Sequence, residues 1–253
     1  MHPSAIISSD SNIGKNVFIG AFSIIEPNVQ IKDNTWIGNN VVICSGTEIG
    51  KNCKIYHSSV IGEKPQDLKF KGEETLTIIG DEVMIREFVT INRGTIESGK
   101  TIIGNKSYLM ASTHVAHDCI IGESVIMSNL ATLGGHVEID DKVIISGGVL
   151  VHQFCKIGSY SFIGGGYRVV QDVPPFIMAA GEPLKYSGIN SIGLRRNGYS
   201  INTRKNIKEA YRLLFREKIS REKAVSQIKN TFPDNPEVKK IISFIENSTR
   251  GLI

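Results

Sequence analysis

The sequence predicts a mainly β fold, a parallel β-helix of hexapeptide repeats that gives way to an α-helical domain near its end. The first observation behind this is a run of ten isoleucines spaced six residues apart: Ile7, Ile13, Ile19, Ile25, Ile31, Ile37, Ile43, Ile49, Ile55 and Ile61. The same phase returns at Ile79, Ile85 and Ile91. It then runs from Ile103 through Leu109, Val115, Ile121, Met127, Leu133, Ile139, Ile145, Val151, Ile157 and Ile163 to Val169. A period of six is neither helical nor simple strand alternation, and sustained self-similarity marks a repeat architecture. The second observation is that the frame ends at Pro174-Pro175, after which apolar residues recur at helical spacing.

Within each hexad the large aliphatic points into a narrow core. Glycine often follows it, as at Gly14, Gly38, Gly122 and Gly158, where a turn needs close backbone approach. Four residues after the aliphatic the side chain is often small or β-branched, as in Val29, Thr35, Cys53, Ser59, Cys119 and Val143, so that position is expected to face inward as well. Three hexads make one triangular coil of eighteen residues. Coils stack as parallel strands at ~4.8 Å. No coil buries its own aliphatic face, so stability comes from its neighbours.

Residues 1–185 are therefore expected to form the β-helix, with external loops at 64–78 and 92–102 where the frame lapses. Long loops on a rigid solenoid are favoured functional positions. The first, which brings Asp67 and Lys69 close together, is the stronger candidate. Residues 186–253 are expected to be a connector and a C-terminal helical domain. A helix over 200–217 carries Ile207, Ala210, Tyr211, Leu214 and Phe215, with Asn202 or Thr203 as its cap. Further helices are expected over 220–231 and 236–247, the latter opened by Pro236. Such helices cover the strand edges that a solenoid leaves open at its end.

Composition narrows the classes. Cys53, Cys119 and Cys155 fall at the small inward position, which suits reduced thiols rather than a disulfide framework. The start, MHPSAIISSD, lacks a basic region followed by an apolar run, and no stretch approaches a membrane span, so a cytoplasmic protein is expected. Residues 1–194 hold 15 Lys+Arg against 19 Asp+Glu, whereas residues 195–253 hold 14 against 6. A basic end domain points to an acidic partner. Nucleic acid is disfavoured, because the segment has no interleaved aromatics or reading motif.

The histidines carry the chemistry. None of His2, His57, His114, His117, His136 and His152 falls at an inward phase. Stepping up one coil at a time from 117 passes 135 and 153, so His117, His136 and His152 lie within one residue of a single vertical strip. A neutral imidazole accepts a proton from an alcohol near neutrality. Asp118, next to His117, is placed to fix its tautomer. Gly134-Gly135 sits one coil above, where a bare backbone N–H suits a developing oxyanion. No serine stands in a nucleophile elbow, which favours direct transfer over a covalent intermediate.

The runs THVAHDCIIGE, NLATLGGHVEIDD, VHQFCKIGSYSFIGGG and QDVPPF, with GEKPQDLKFKGE, IREFVTINRGT, GINSIGLRRNGYS and the ending STRGLI, resemble the UDP-N-acetylglucosamine acyltransferases over essentially the whole chain. The resemblance implies a left-handed coil. It also implies transfer of a 3-hydroxyacyl group from acyl carrier protein to the 3-position of UDP-N-acetylglucosamine, the first step of lipid A biosynthesis. It makes His117 the general base, Asp118 its support and the Gly135 N–H the oxyanion donor. Gln66, Asp67, Lys69, His114, His136, His152 and Gln153 become substrate contacts, and Asn190 and Arg196 lie on the nucleotide side. Phe162, Gly165 and Pro183 line the acyl groove. Arg195, Arg204, Lys205 and Arg212 receive the acidic carrier protein.

No metal and no cofactor is implied beyond the carrier's phosphopantetheine, and the assembly implied is a homotrimer with sites between neighbours. Asn197 stands where a further arginine is common, and Ile192 where a glutamate is frequent. Gly165 leaves room where a bulkier side chain shortens the accepted chain, so a long acyl group is expected. Relatives act on either the 3-hydroxy sugar or its 3-amino analogue, and the residues quoted fit both. A γ-type carbonic anhydrase, with zinc on three histidines between subunits, leaves the loop at 64–78 and the basic tail without a role. A coenzyme A acetyltransferase is the nearest rival enzyme.

Overall fold

The computed structural model describes residues 1–217 and 219–253. The chain winds as a left-handed parallel β-helix with helices at its C-terminal end. Three sheets of nine, eight and ten strands form the sides of the prism. The chain visits them in rotation: Ile6–Ile7 in the first, Asn12–Ile13 in the second, Phe18–Ile19 in the third, then Ile24–Ile25 in the first again. Register is strict, with His114 paired to Thr132, Thr132 to Leu150 and Leu150 to Arg168.

The hexad aliphatics form the core. Ile37, Ile85, Leu109, Val115, Leu133 and Ile145 are fully buried, whereas Ile7 and Ile13 are only partly so, because no coil lies beneath them. Burial of each such side chain is worth ~1.5–3 kcal/mol. The small inward residues also satisfy polar groups. Ser23 Oγ donates to the Gly38 carbonyl at 2.7 Å, Thr35 Oγ1 to Gly50 at 2.9 Å, Ser107 Oγ to Gly122 at 3.0 Å and Cys119 Sγ to Gly134 at 3.2 Å. A hydroxyl or thiol at this phase thus closes a corner carbonyl that would otherwise be buried without a partner.

Most corners turn through a residue in the left-handed region, including Asn16 at φ 57°, Asp118 at 60°, His136 at 59°, Lys142 at 58° and Phe154 at 64°. Asn and Asp visit that region readily, but a bulky aromatic does so rarely. The corner N–H donates to a carbonyl one coil below, His136 to His117 and Phe154 to Gly135, both at 3.0 Å.

The excursions are shorter than expected. The first runs from 64 to 75, since strand Leu76–Ile79 already pairs with its neighbours. The second is confined to 93–99, between Thr90–Asn92 and Lys100–Ile103. Residues in contact across the first loop are 30 apart, and across the second 24, where ordinary coils give 18. Both excesses are multiples of six, so the hexad phase survives each insertion.

The segment 176–199 is more ordered than a connector. Ile177–Ala180 is the last parallel strand of the third sheet, and Lys185–Ile189 pairs with it antiparallel. Helix α1, Ser191–Arg196, follows. Helix α2, Ile201–Phe215, is capped by Ser200, whose side chain accepts the Thr203 N–H; neither Asn202 nor Thr203 is the cap. Helices α3, Arg221–Thr231, and α4, Pro236–Glu246, lie where helical spacing placed them. The tail returns to the prism, where Asp172 accepts from Ser248 Oγ at 2.7 Å and from the Thr249 and Arg250 N–H groups at 3.1 and 3.2 Å.

Replacing Ile145 by alanine is expected to cost about 2–5 kcal/mol, and the same change at half-buried Ile13 clearly less. Denaturant midpoints read the difference; equal losses would contradict a core closed by stacking.

Candidate active site

Strand His114–Val115 of the first sheet leads into the corner that carries His117 and Asp118. His117 Nδ1 lies 2.8 Å from Asp118 Oδ2. A carboxylate only accepts, so Nδ1 holds the proton and Nε2 keeps its lone pair in the neutral ring. Gly135 makes room for this ring: a Cβ there would sit 2.6 Å from His117 Cε1 and 2.7 Å from Nε2. At the same phase in several other coils, though not in all, the backbone N–H is taken by a carboxylate one coil on, as Lys15 by Asp33, Lys51 by Asp81 and Glu123 by Asp141. Among the described residues, the Gly135 N–H meets no such acceptor.

The second loop grips Asp118, whose side chain is fully buried. Thr95 donates to it through its N–H at 2.8 Å and its hydroxyl at 2.7 Å, and the Ser98 hydroxyl donates to Oδ1. The Asp118 N–H in turn reaches Thr101 Oγ1 at 2.8 Å. Burial pushes the carboxyl pKa up, but the hydrogen bonds from Ser98, His117 and Thr95 outweigh it and hold the pKa below its ordinary value. The loop can turn this tightly because residue 94 is glycine; a Cβ there would lie 2.2 Å from the Lys100 nitrogen.

His136 stands one coil above Asp118. Its ring stacks on Phe154 at 4.6 Å and 7°, and meets His117 edge-on at 5.1 Å and 89°. Its Nε2 lies 3.4 Å from Glu97 Oε2 and 3.6 Å from Asp118 Oδ2, so stacking more than hydrogen bonding sets its orientation. His117, Asp118 and His136 offer ligand atoms within 4.8 Å of one another. Two hydroxyls, a backbone N–H and an imidazole already occupy the Asp118 oxygens, however, which fits a hydrogen-bonded support better than a metal ligand. Cys119, the next residue, is no nucleophile, because burial pushes its thiol up to about 12.

The structure thus brings together His117, Asp118, Gly135 and His136. His152 and Gln153 lie on the coil above, the His152 Nδ1 3.1 Å from the Gln153 carbonyl. His114 faces outward on the first sheet with Nδ1 2.7 Å from Thr90 Oγ1, and burial lowers its pKa. On the first loop, Gln66 and Lys69 are exposed, and Asp67 Oδ1 accepts the Lys69 N–H at 3.0 Å; among the described residues this loop makes no hydrogen bond to His117 or Asp118.

Asn190 spends its side chain on the fold, accepting the Gly193 N–H at 3.0 Å and donating to the Tyr160 carbonyl at 2.9 Å. It thereby docks α1, with Arg195 and Arg196 exposed at its end, on the corner between the second and third sheets. Phe162 pairs with Ile144 and Met178 in the third sheet, a Cβ at Gly165 would touch the Gly147 carbonyl at 3.4 Å and Ser146 at 3.7 Å, and Pro183 lies in the turn that follows. Lys205 and Arg212 line a groove of about 640 Å³ with Tyr186, Lys208, Arg216 and Phe232. Arg212 is engaged by Glu209 and Glu217, and Arg204 reaches Ser191 Oγ at 3.3 Å.

Sequence reasoning missed Thr95, Glu97, Ser98, Thr101 and Phe154. The available signal was the position of the second insertion, one coil below the histidine strip, with hydroxyl residues in it.

A parallel prism with an imidazole–carboxylate dyad on its corner and a bare N–H beside it is the framework of a solenoid acyltransferase. Residues 172–253 match the family model described as Udp N-acetylglucosamine O-acyltransferase, Domain 2, and residues 1–105 match the model of the GMPPB C-terminal domain. The acyl-[acyl-carrier-protein]–UDP-N-acetylglucosamine O-acyltransferase of Aliivibrio salmonicida is 46% identical across 100% of this chain and 97% of its own. That of Thermodesulfovibrio yellowstonii is 47% identical across 100% and 98%. The crystal structure of a UDP-N-acetylglucosamine acyltransferase from Bacteroides fragilis superposes with a TM-score of 0.99 at 47% identity, covering 100% of this chain and 99% of that one. One from Moraxella catarrhalis gives 0.97 at 42%, covering 100% and 98%. The chain belongs to the UDP-N-acetylglucosamine O-acyltransferase family.

Because the folded Asp118 pKa lies below its ordinary value near 3.8, its contribution to stability is present in full above that value. It is lost as pH falls through the depressed one. Ser98→Ala removes one of the bonds that lower it, so the acid transition is expected to move to higher pH. Unfolding midpoints followed between neutral and strongly acidic pH test this; superimposable acid limbs would show that Ser98 does not hold the carboxylate.

Proposed function

We propose that this protein transfers a 3-hydroxyacyl group from acyl carrier protein to the 3-hydroxyl of UDP-N-acetylglucosamine, opening lipid A biosynthesis in the cytoplasm. The observation that carries the reading is the His117–Asp118 dyad beside a Gly135 N–H without a partner among the described residues, in a chain whose full-length relatives are named as acyl-[acyl-carrier-protein]–UDP-N-acetylglucosamine O-acyltransferases. His117 Nε2 takes the proton of the sugar hydroxyl. The alkoxide oxygen attacks the thioester carbonyl, and the Gly135 N–H steadies the oxyanion. Collapse breaks the carbon–sulfur bond, and the imidazolium returns its proton to the departing pantetheine thiolate. Asp118 stabilises the imidazolium between these steps. The acyl group passes directly from sulfur to oxygen and requires no cofactor of the enzyme's own.

The remaining assignments follow. Gln66, Asp67, Lys69, His114, His136, His152 and Gln153 contact the substrate around the dyad, and Arg196 meets the diphosphate, for which its planar fork is suited. Asn190 acts by capping and docking the helix that presents Arg196. Phe162, Gly165 and Pro183 bound the acyl groove, and Gly165 favours a long chain. Arg195, Arg204, Lys205 and Arg212 receive the acidic carrier, with Lys208 and Arg216 added from the same groove. The dyad and the end of α1 occupy different corners of one prism. A homotrimer would set one chain's dyad against a neighbour's helix, and this supports a site shared between subunits. No helix among the described residues is long and apolar enough to cross a membrane.

His117→Ala is expected to retain the fold and lose ~10²–10⁴ in turnover, the scale of a general base. Arg196→Ala is expected to raise KM for the nucleotide sugar with little change in kcat. Steady-state assays with UDP-N-acetylglucosamine and hydroxyacyl carrier proteins of graded length check both; near wild-type turnover in His117→Ala would remove it as the base.

A further inference from the structure

We propose that Lys142 is a substrate-contact residue whose ammonium takes an oxygen of the nucleotide diphosphate. This rests on the reading in which Arg196 meets that group. Lys142 turns the corner between the second and third sheets, and its N–H donates to the Glu123 carbonyl one coil below at 2.8 Å. Stacking therefore fixes its backbone, and the side chain is free for another task. Its Nζ lies 3.0 Å from Asn197 Oδ1 and 5.7 Å from the centroid of the Tyr160 ring. Asn197 is the C-cap of α1, one residue beyond Arg196. The ammonium thus stands beside the basic end of that helix, although it comes from a coil more than fifty residues earlier in the chain.

Neither contact neutralises it. An amide oxygen and an aromatic face orient a cation, but they carry no net charge to cancel it. The adjacent carboxylate, Asp141, turns its Oδ1 to the Glu123 N–H at 2.8 Å. Among the described residues, no carboxylate pairs with Lys142, Arg195 or Arg196. Three exposed cations therefore belong to the C-terminal end of α1, and among the described residues none of them is paired with a carboxylate. They repel one another until a multiply charged ligand arrives, and charge-assisted bonds to phosphate oxygens are among the strongest available to them. A packing role does not account for Lys142, which is exposed.

Calorimetric titration of the full-length protein with UDP and with uridine, beside steady-state kinetics, tests the assignment. Lys142→Met and Lys142→Gln are each expected to raise the Kd for UDP about tenfold, and KM for UDP-N-acetylglucosamine by a similar factor. The kcat, the KM for the acyl carrier and the weak binding of uridine should stay as in the wild type, and Lys142→Arg should recover most of the loss. Equal UDP affinity in wild type and both neutral variants would overturn the role of Lys142 alone, and so would an equal loss for uridine. A wild type that binds UDP but transfers no acyl group would overturn the proposed reaction and leave the Lys142 contact standing. A wild type without UDP affinity would overturn both.

Discussion

Hydrogen bonds between successive coils, repeated every eighteen residues, are the constraint on which the rest of this protein depends. Each coil offers its neighbour a row of strand N–H and C=O groups and one large aliphatic per side. The pairing cannot slip by one residue, because that would turn every aliphatic outward. Register therefore becomes a positioning device. Asp118, His136 and Phe154 share one corner because they are eighteen residues apart, and for the same reason Gly135 lies against His117. The chemistry adds little to this scaffold. It needs one imidazole, one carboxylate and one N–H that the next coil leaves without a partner.

The site departs from the repeat where it needs support that the repeat does not supply. A regular corner gives a carboxylate little beyond an N–H of the preceding coil. Asp118 receives three donors beside His117 because a six-residue insertion folds Thr95 and Ser98 over it. Its pKa is depressed despite burial, so it stays anionic and can hold the His117 proton on Nδ1. Bulky residues hold left-handed corners elsewhere in the prism too, as at Phe22, Phe88 and Tyr160, but His136 and Phe154 stand one coil apart and stack.

Much of the prism was legible because its cause is periodic. The spacing of isoleucines fixed the inward phase, and the phase located the histidine strip. Thr95 and Ser98 were not legible, because a loop that leaves the frame has no phase from which contacts can be read. Helix α1 was missed for a related reason: six residues with one buried side chain, Leu194, carry too little amphipathic pattern to mark a helix. The Ser200 cap was missed because several hydroxyl and amide residues lie together there, and only backbone geometry selects among them. The basic character of the end domain was plain from composition, but which cations stay unpaired required coordinates: Arg212 is held by two glutamates, whereas Lys142 is not.

The central claim is that coil stacking and the second loop hold His117 with its proton on Nδ1, leaving Nε2 free to act as a base. Nitrogen-15 spectra of ring-labelled histidine, assigned through a His117→Gln variant, report the tautomer directly. Near neutral pH the account predicts a protonated Nδ1 and a bare Nε2 at His117, with the Nδ1 signal shifted in Asp118→Asn. A His117 ring that carries its proton on Nε2 in the wild type would contradict it.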